Sequence, residues 1–204
     1  SDFGRNNKHP LFPLFVFPLV FGLGKLLHLE PISAVRLLVV GVAVLWIGSL
    51  YALFRCMGCQ RLDATLFSIL GGVSSASVFW LVVPESFSFG SLTILLGLIF
   101  VTLTQYRPFP SVWYVVVNLL TVSITITNLM VGIFATFVNH RWKKALQIIV
   151  GSLLLATGLW VLQRIAFTNS GFPFQPGTFI GEKKFISSPS RGGGILPLMS
   201  SFFY

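Results

Sequence analysis

The stretch LLVVGVAVLWIGSLYALF, residues 37–54, decides the fold class of this chain. It contains no charged residue and lies between Arg36 and Arg55. About 20 predominantly apolar residues are needed for a helix to cross a hydrocarbon layer roughly 30 Å thick. The stretch therefore predicts a membrane-spanning helix, which we place near residues 34–54.

The composition extends this prediction to most of the chain. Of the 204 residues, 54% are hydrophobic and only 9% are charged, whereas soluble domains carry about 25% charged residues. Four more apolar stretches predict spans near residues 64–84, 88–105, 112–139 and 145–164. Backbone groups in lipid must be hydrogen-bonded internally, and the alternating pattern of a spanning β-barrel is absent. We therefore predict an all-α, polytopic transmembrane helix bundle with about five to seven membrane segments.

The predicted transmembrane domain covers residues 1–167. Within it, the segment at 11–28 carries Pro13 and Pro18 and has only about 14 apolar residues before the first lysine, fewer than a crossing needs. This segment predicts an interfacial helix at the membrane surface. Residues 168–204 are rich in Gly, Pro and Ser, which indicates an extracytoplasmic tail of loop structure.

Basic residues predict the topology. The loop RCMGCQR, residues 55–61, and the segment HRWKK, residues 140–144, are both basic, and short basic loops lie preferentially in the cytoplasm. Because Arg107 also indicates the cytoplasmic side, the stretch at residues 111–139, between Arg107 and HRWKK, should cross the membrane an even number of times. Its polar centre TVSITITN predicts two short helices that meet near residues 123–128. One long tilted span, with a weaker influence of the charges, is the alternative.

The net charge of +9 raises the question of a nucleic-acid partner. The cations are scattered between apolar segments instead of clustering on one soluble face, so we predict loop anchoring and no nucleic acid. Cys56 and Cys59 form a single CxxC without a second pair or a histidine cluster. No nucleotide-binding or zinc-protease motif is present, so we expect no cofactor and no metal.

Candidate chemistry is limited to five carboxylates and three histidines. Glu85 stands in an otherwise uncharged stretch, residues 64–106, at the end of a predicted span. A carboxylate there could bind a cation or a sugar hydroxyl. Alternatively, it interacts with the dipole of the following helix, worth about 0.3–1 kcal/mol.

A basic cluster precedes the interfacial segment on the same predicted face. Arg5, Lys8 and His9 could hold a phosphate or pyrophosphate through charge-assisted hydrogen bonds. Attraction to anionic lipid headgroups is the alternative explanation. We interpret Asp63 as a helix cap and His140 as a solvated loop residue.

The order of these features resembles the membrane half of the GT-C glycosyltransferases. The resemblance is carried by KHPLFPLF at residues 8–15, the small-residue stretch GGVSSAS, PES at residues 84–86 and HRWKK at residues 140–144. It implies an enzyme like the mannosyltransferases and aminoarabinose transferases, which use polyprenyl-phosphate-linked sugar donors at the extracytoplasmic face. It also implies a bacterial inner membrane and, as partners, membrane lipid, a lipid-linked sugar donor and other membrane subunits.

The resemblance also implies roles for individual residues. His9 belongs to the loop motif of the family, and Glu85 matches the acidic position after the following helical hairpin. A carboxylate would deprotonate the acceptor, while Arg5 and Lys8 would stabilise the departing lipid phosphate. The family's first helix and acidic loop motif precede this motif, so the resemblance implies a chain truncated at its N-terminus and inactive alone. Asp2 is the candidate remnant of that acidic motif.

Two other functional classes remain open from the sequence. A transporter or flippase-like module would use a polar site at mid-depth, near residues 123–128. A non-catalytic membrane subunit would have no site of its own. The position at which the polar side chains converge distinguishes these hypotheses.

Overall fold

The computed structural model describes His9, residues 11–83 and residues 85–167, and all regular structure in these ranges is helical. This confirms the all-α prediction, while the tail predicted at 168–204 lies outside the described residues. The α-helices are α1 (Phe12–Leu27), α2 (Pro31–Cys56), α3 (Arg61–Val73), α4 (Ser75–Val82), α5 (Ser86–Thr104), α6 (Ser111–Ile124), α7 (Leu129–Asn139) and α8 (Trp142–Ala166).

Three of the described helices are long and apolar enough to cross a membrane. They are α2, α5 and α8, with 26, 19 and 25 residues. The bent pair of α3 and α4 makes a fourth if it is counted as one span. These apolar helices define an integral membrane protein.

The basic loops lie together at one end of the bundle. The Tyr106 hydroxyl, just after α5, donates a 2.6 Å hydrogen bond to the Cys56 carbonyl at the end of α2, so α2 and α5 run in the same direction. The ring of His140, just before α8, lies 4.4 Å from that of Tyr114 in the first turn of α6. We call this the basic end; its described cations are Arg55, Arg61, Arg107, Arg141, Lys143 and Lys144. The opposite end is called the His9 end.

The stretch between residues 111 and 139 is a helical hairpin. Helix α6 ends at Ile124, Thr125 is extended, and a single 3₁₀ turn, Ile126–Asn128, leads into α7. The Asn118 amide donates to the Thr136 hydroxyl at 3.0 Å, which shows that the two helices pack antiparallel. With 14 and 11 residues, α6 and α7 are about 21 and 16 Å long. The predicted pair of short helices is therefore present. Helix α6 begins at the basic end, and α7 ends there.

The span predicted near residues 64–84 corresponds to two helices, α3 and α4, which are bent by 65°. Ser74 has extended backbone angles and its hydroxyl accepts a 3.3 Å hydrogen bond from the Ser77 N–H, so it caps a new helix. The small residues before the bend still allow close packing. A Cβ on Gly71 would lie only 2.7 Å from the Leu50 side chain of α2.

Helix α1 crosses the His9 end of the bundle. Its Leu14 N–H donates to the Gln163 side chain near the end of α8, at 3.2 Å. Further along, a Cβ on Gly24 would lie 3.9 Å from the Cβ of Ala34 in the first turn of α2. The chain then reverses at His28, whose left-handed backbone ends the helix. Helix α1 therefore contacts the start of α2 and the end of α8, which both lie at the His9 end. This position is compatible with an interfacial helix.

Candidate functional site

His9 connects two elements at the His9 end. Its Nδ1 lies 2.7 Å from the Ile124 carbonyl at the end of α6, and its Nε2 lies 2.9 Å from the Ser86 hydroxyl at the start of α5. A carbonyl oxygen only accepts hydrogen bonds, so Nδ1 carries the proton. In the neutral ring Nε2 then accepts from the Ser86 hydroxyl. The imidazole thus holds the hairpin turn against α5.

The backbone beside His9 strengthens this connection. The Leu11 N–H donates a 2.9 Å hydrogen bond to the Ser123 carbonyl, and Leu11 is fully buried. The last carbonyls of a helix have no partner within it and need partners from elsewhere. The N-terminal segment supplies two such partners: the Leu11 N–H for the Ser123 carbonyl and the His9 ring for the Ile124 carbonyl. It therefore closes the open end of α6.

Glu85 lies immediately before Ser86 and is the N-cap residue of α5. Its side chain is half-buried and makes no capping hydrogen bond, while its carbonyl accepts one from the Ser88 hydroxyl at 3.2 Å. A carboxylate at this position is stabilised by the positive end of the helix dipole. The structure thus brings Glu85 and His9 to the same end of the bundle, where His9 contacts Ser86, the residue after Glu85.

Asn128 forms a second connection between the hairpin and α5, which sequence reasoning missed. Its Nδ2 donates to the Gly90 carbonyl at 2.9 Å and to the Thr93 hydroxyl at 3.4 Å. A signal for this contact exists in the sequence, because α5 carries a stripe of small residues at helical spacing. All of its members are buried: Ser86, Gly90, Thr93 and Gly97.

An apolar groove of about 990 Å³ lies between α2 and α4. Its lining includes Val39, Ile47 and Val78, and Arg36 is the charged residue among the lining side chains. We call it the α2–α4 groove. It extends to Pro31 at the start of α2 and to Val82, and so reaches the His9 end. An apolar groove with a cation near its end can hold a hydrocarbon chain and an anionic headgroup.

The structure does not describe three of the candidate residues. Asp2, Arg5 and Lys8 lie outside the described residues. The predicted phosphate-binding group is therefore represented in the structure by His9 alone.

Two interpretations of single residues need correction. Asp63 lies in the first turn of α3, but the N-cap is Gln60 and makes no side-chain capping bond. Asp63 therefore favours the helix through its charge instead of capping it. His140 is half-buried against the Tyr114 ring instead of fully solvated, because the closure of the hairpin brings the two residues together.

The cysteine pair lies in the turn after α2. Cys56 and Cys59 are both free and half-buried. Gly58 between them has a φ of 92°, which only glycine adopts readily. The Arg55 side chain donates a 2.6 Å hydrogen bond to the Cys59 carbonyl. These contacts give the CxxC a role in the turn.

Replacing His9 with alanine is expected to loosen the N-terminal segment. The change leaves the Ile124 carbonyl without its imidazole donor, which costs about 1–3 kcal/mol for a buried group. Hydrogen exchange at the Leu11 amide measures this local opening. His28→Asn is the matched control, because His28 is exposed and asparagine tolerates its left-handed backbone. Unchanged protection of Leu11 in His9→Ala would contradict the bridging role.

The fold and these contacts define the class of this protein as an all-α integral membrane protein. No protein-family model matches the chain, and comparisons with curated proteins and with solved structures find no significant similarity.

Proposed function

We propose that this chain is the membrane part of a glycosyltransferase that takes sugar from a lipid-phosphate-linked donor. One observation carries the proposal. The α2–α4 groove and its Arg36 extend to the same end of the bundle as Glu85 and His9. The positive-inside rule assigns the opposite, basic end to the cytoplasm and therefore the His9 end to the extracytoplasmic face.

The groove would bind the lipid portion of the donor. Its apolar lining suits an isoprenoid chain, and the exposed Arg36 can form charge-assisted hydrogen bonds with the phosphate. Val82 lines the groove three residues before Glu85, so a sugar linked to that phosphate would lie towards the carboxylate. The lipid, the phosphate and the sugar then follow one another towards the His9 end.

Glu85 would act as the general base. The acceptor hydroxyl gives its proton to the Glu85 carboxylate while its oxygen bonds to the anomeric carbon of the sugar. The bond between that carbon and the phosphate oxygen breaks, and the lipid phosphate leaves with the electron pair. Arg36 would stabilise the charge on the leaving phosphate. His9 would act through Ser86, by fixing the start of α5.

The transport hypothesis requires a polar site at mid-depth near residues 123–128. That turn instead contacts His9 and Gly90, both at the His9 end. Deeper in the hairpin, Asn118 packs against Gly132, where an added Cβ would lie 2.5 Å from the amide oxygen. This arrangement supports the enzyme hypothesis over the transport module.

The proposal is tested by sugar transfer in membranes from cells that produce the whole enzyme of which this chain would be the membrane part. We expect transfer from at least one radiolabelled polyprenyl-phosphate sugar to an endogenous acceptor. Arg36→Gln is expected to raise the KM for the donor about tenfold or more, because it removes a hydrogen bond to a charged group. Arg164→Gln is the matched control, since Arg164 is exposed near the end of α8, 5.6 Å from the Trp160 ring.

Two results would contradict the proposal. The first is an absence of transfer above that of control membranes with every donor tried. The second is an equal rise in KM for Arg36→Gln and Arg164→Gln, which would attribute the effect to surface charge and not to the groove.

A further inference from the structure

A second cavity, of about 520 Å³, lies at the basic end between the end of α5 and the start of α8. Two cationic side chains line it, Arg107 and Lys144, and its lining contains no carboxylate. Asn139 also lines it, and its amide nitrogen donates a 2.9 Å hydrogen bond to the Ala135 carbonyl. A concave site with two positive charges and no internal counter-charge is suited to an anion.

Arg107 is held in place by an aromatic ring. Its guanidinium carbon lies 4.7 Å from the centroid of the Phe109 ring, which is a cation–π distance. Such a contact orients the planar guanidinium without using its N–H donors. Those donors therefore stay available to an oxyanion, which a guanidinium can bind with two parallel hydrogen bonds.

His140 supplies an independent sign of a ligand. Its Nδ1 is buried and has no hydrogen-bond partner among the described residues, and buried polar atoms of this kind are uncommon. Burial first, and then the charge of Lys144, lower the pKa of the imidazole, against a smaller opposing effect of the Thr136 carbonyl. The lowered pKa favours the neutral ring. It contributes a hydrogen-bonding group, and the charge comes from the two cations.

We propose that this cavity binds a phosphate group, as a monoester or diester, through Arg107 and Lys144. The site lies at the opposite end from Glu85 and is separate from the proposed transfer reaction. Its volume accommodates a phosphate with a small polar substituent. The same chemistry has two sources at a membrane surface, the headgroup of an anionic phospholipid and a soluble phosphate.

The test uses the whole chain in nanodiscs of phosphatidylcholine with isotopically labelled histidine. The NMR signals of the His140 ring, assigned with His140→Gln, are followed in two arms. One arm adds inorganic phosphate, and the other replaces part of the lipid with phosphatidylglycerol. We expect a saturable shift of the His140 signals in at least one arm. A response to phosphate identifies a soluble ligand, and a response only to phosphatidylglycerol identifies a lipid headgroup.

Variants connect this response to the cavity. Arg107→Gln or Lys144→Gln is expected to weaken binding about tenfold or more, because each removes a charge-assisted hydrogen bond. Arg107→Lys should weaken it less, since the charge remains. Lys143→Gln is the matched control, because Lys143 is exposed, outside the cavity lining, and 5.6 Å from the Trp142 ring.

Unchanged signals of the His9 and His28 rings and an unchanged unfolding transition, both without ligand, establish that each variant keeps the fold. The proposal is overturned if neither arm gives a saturable shift. It is also overturned if Lys143→Gln weakens binding as much as Lys144→Gln, because the response would then report the charge of the whole surface.

Discussion

Replacing Glu85 with glutamine is expected to lower the rate of sugar transfer by about 10²- to 10⁴-fold. Glutamine has nearly the same shape, but it cannot take a proton from the acceptor hydroxyl. Loss of the Glu85 charge at the start of α5 should cost the fold about 0.3–1 kcal/mol of dipole interaction. The rate of transfer per folded protein, at saturating donor, measures the effect.

Glu30→Gln is the matched control for this experiment. Glu30 is the exposed N-cap residue of α2, makes no side-chain capping bond, and lies at the same end of the bundle. We expect its transfer rate to stay close to that of the unchanged protein. Full activity in Glu85→Gln, or the same loss in Glu30→Gln, would show that Glu85 is not the general base.

Replacing Gly132 with alanine is expected to lower the free energy of unfolding by about 3 kcal/mol, the upper part of the range for an overpacked core. The new Cβ would lie 2.5 Å from the Asn118 amide oxygen and 2.9 Å from the Asn118 Cα. The backbone of α6 cannot rotate away as a flexible side chain would. The two helices of the hairpin would therefore have to separate. Unfolding in mixed micelles of denaturing and mild detergent measures the loss.

Gly151→Ala provides the opposite expectation within the same molecule. Gly151 lies inside α8, and an added Cβ there meets nothing within 4 Å. Alanine is a better helix former than glycine by about 0.5–1 kcal/mol, so this variant should be slightly more stable. Equal stabilities of the two variants would mean that α6 and α7 do not pack as closely as the hairpin requires.

The membrane fold could be predicted from the sequence because lipid restricts the choices of an apolar chain. Long uncharged stretches such as residues 37–54, which lack the alternating pattern of a barrel strand, satisfy their backbone groups in lipid as helices. The break near residue 125 was also predictable, since basic residues on both sides and the polar centre TVSITITN indicated it together. The bend at Ser74 was not, because GGVSSAS suits close packing and helix capping equally well. In the structure this stretch does both: Gly71 packs closely against α2, and Ser74 caps α4.

The contacts of the candidate site depend on pairings that no local pattern encodes. His9 and Ser86 are 77 residues apart, and their contact follows from how the hairpin closes against α5. Glu85 could be singled out as an isolated charge, but its nearness to His9 required the fold. The environment of His140 has the same origin, since Tyr114 reaches it only across the closed hairpin.

The measurement that tests the central claim most directly is photo-crosslinking with a polyprenyl phosphate that carries a diazirine in its isoprenoid chain. We predict that labelled peptides concentrate in α2 and α4, at the lining of the α2–α4 groove. Unlabelled polyprenyl phosphate should compete more strongly than the uncharged polyprenol, because Arg36 would pair with the phosphate. Labelling spread evenly over the lipid-facing surfaces of α3 and α8, or equal competition by polyprenol, would contradict a lipid-phosphate donor site in this groove.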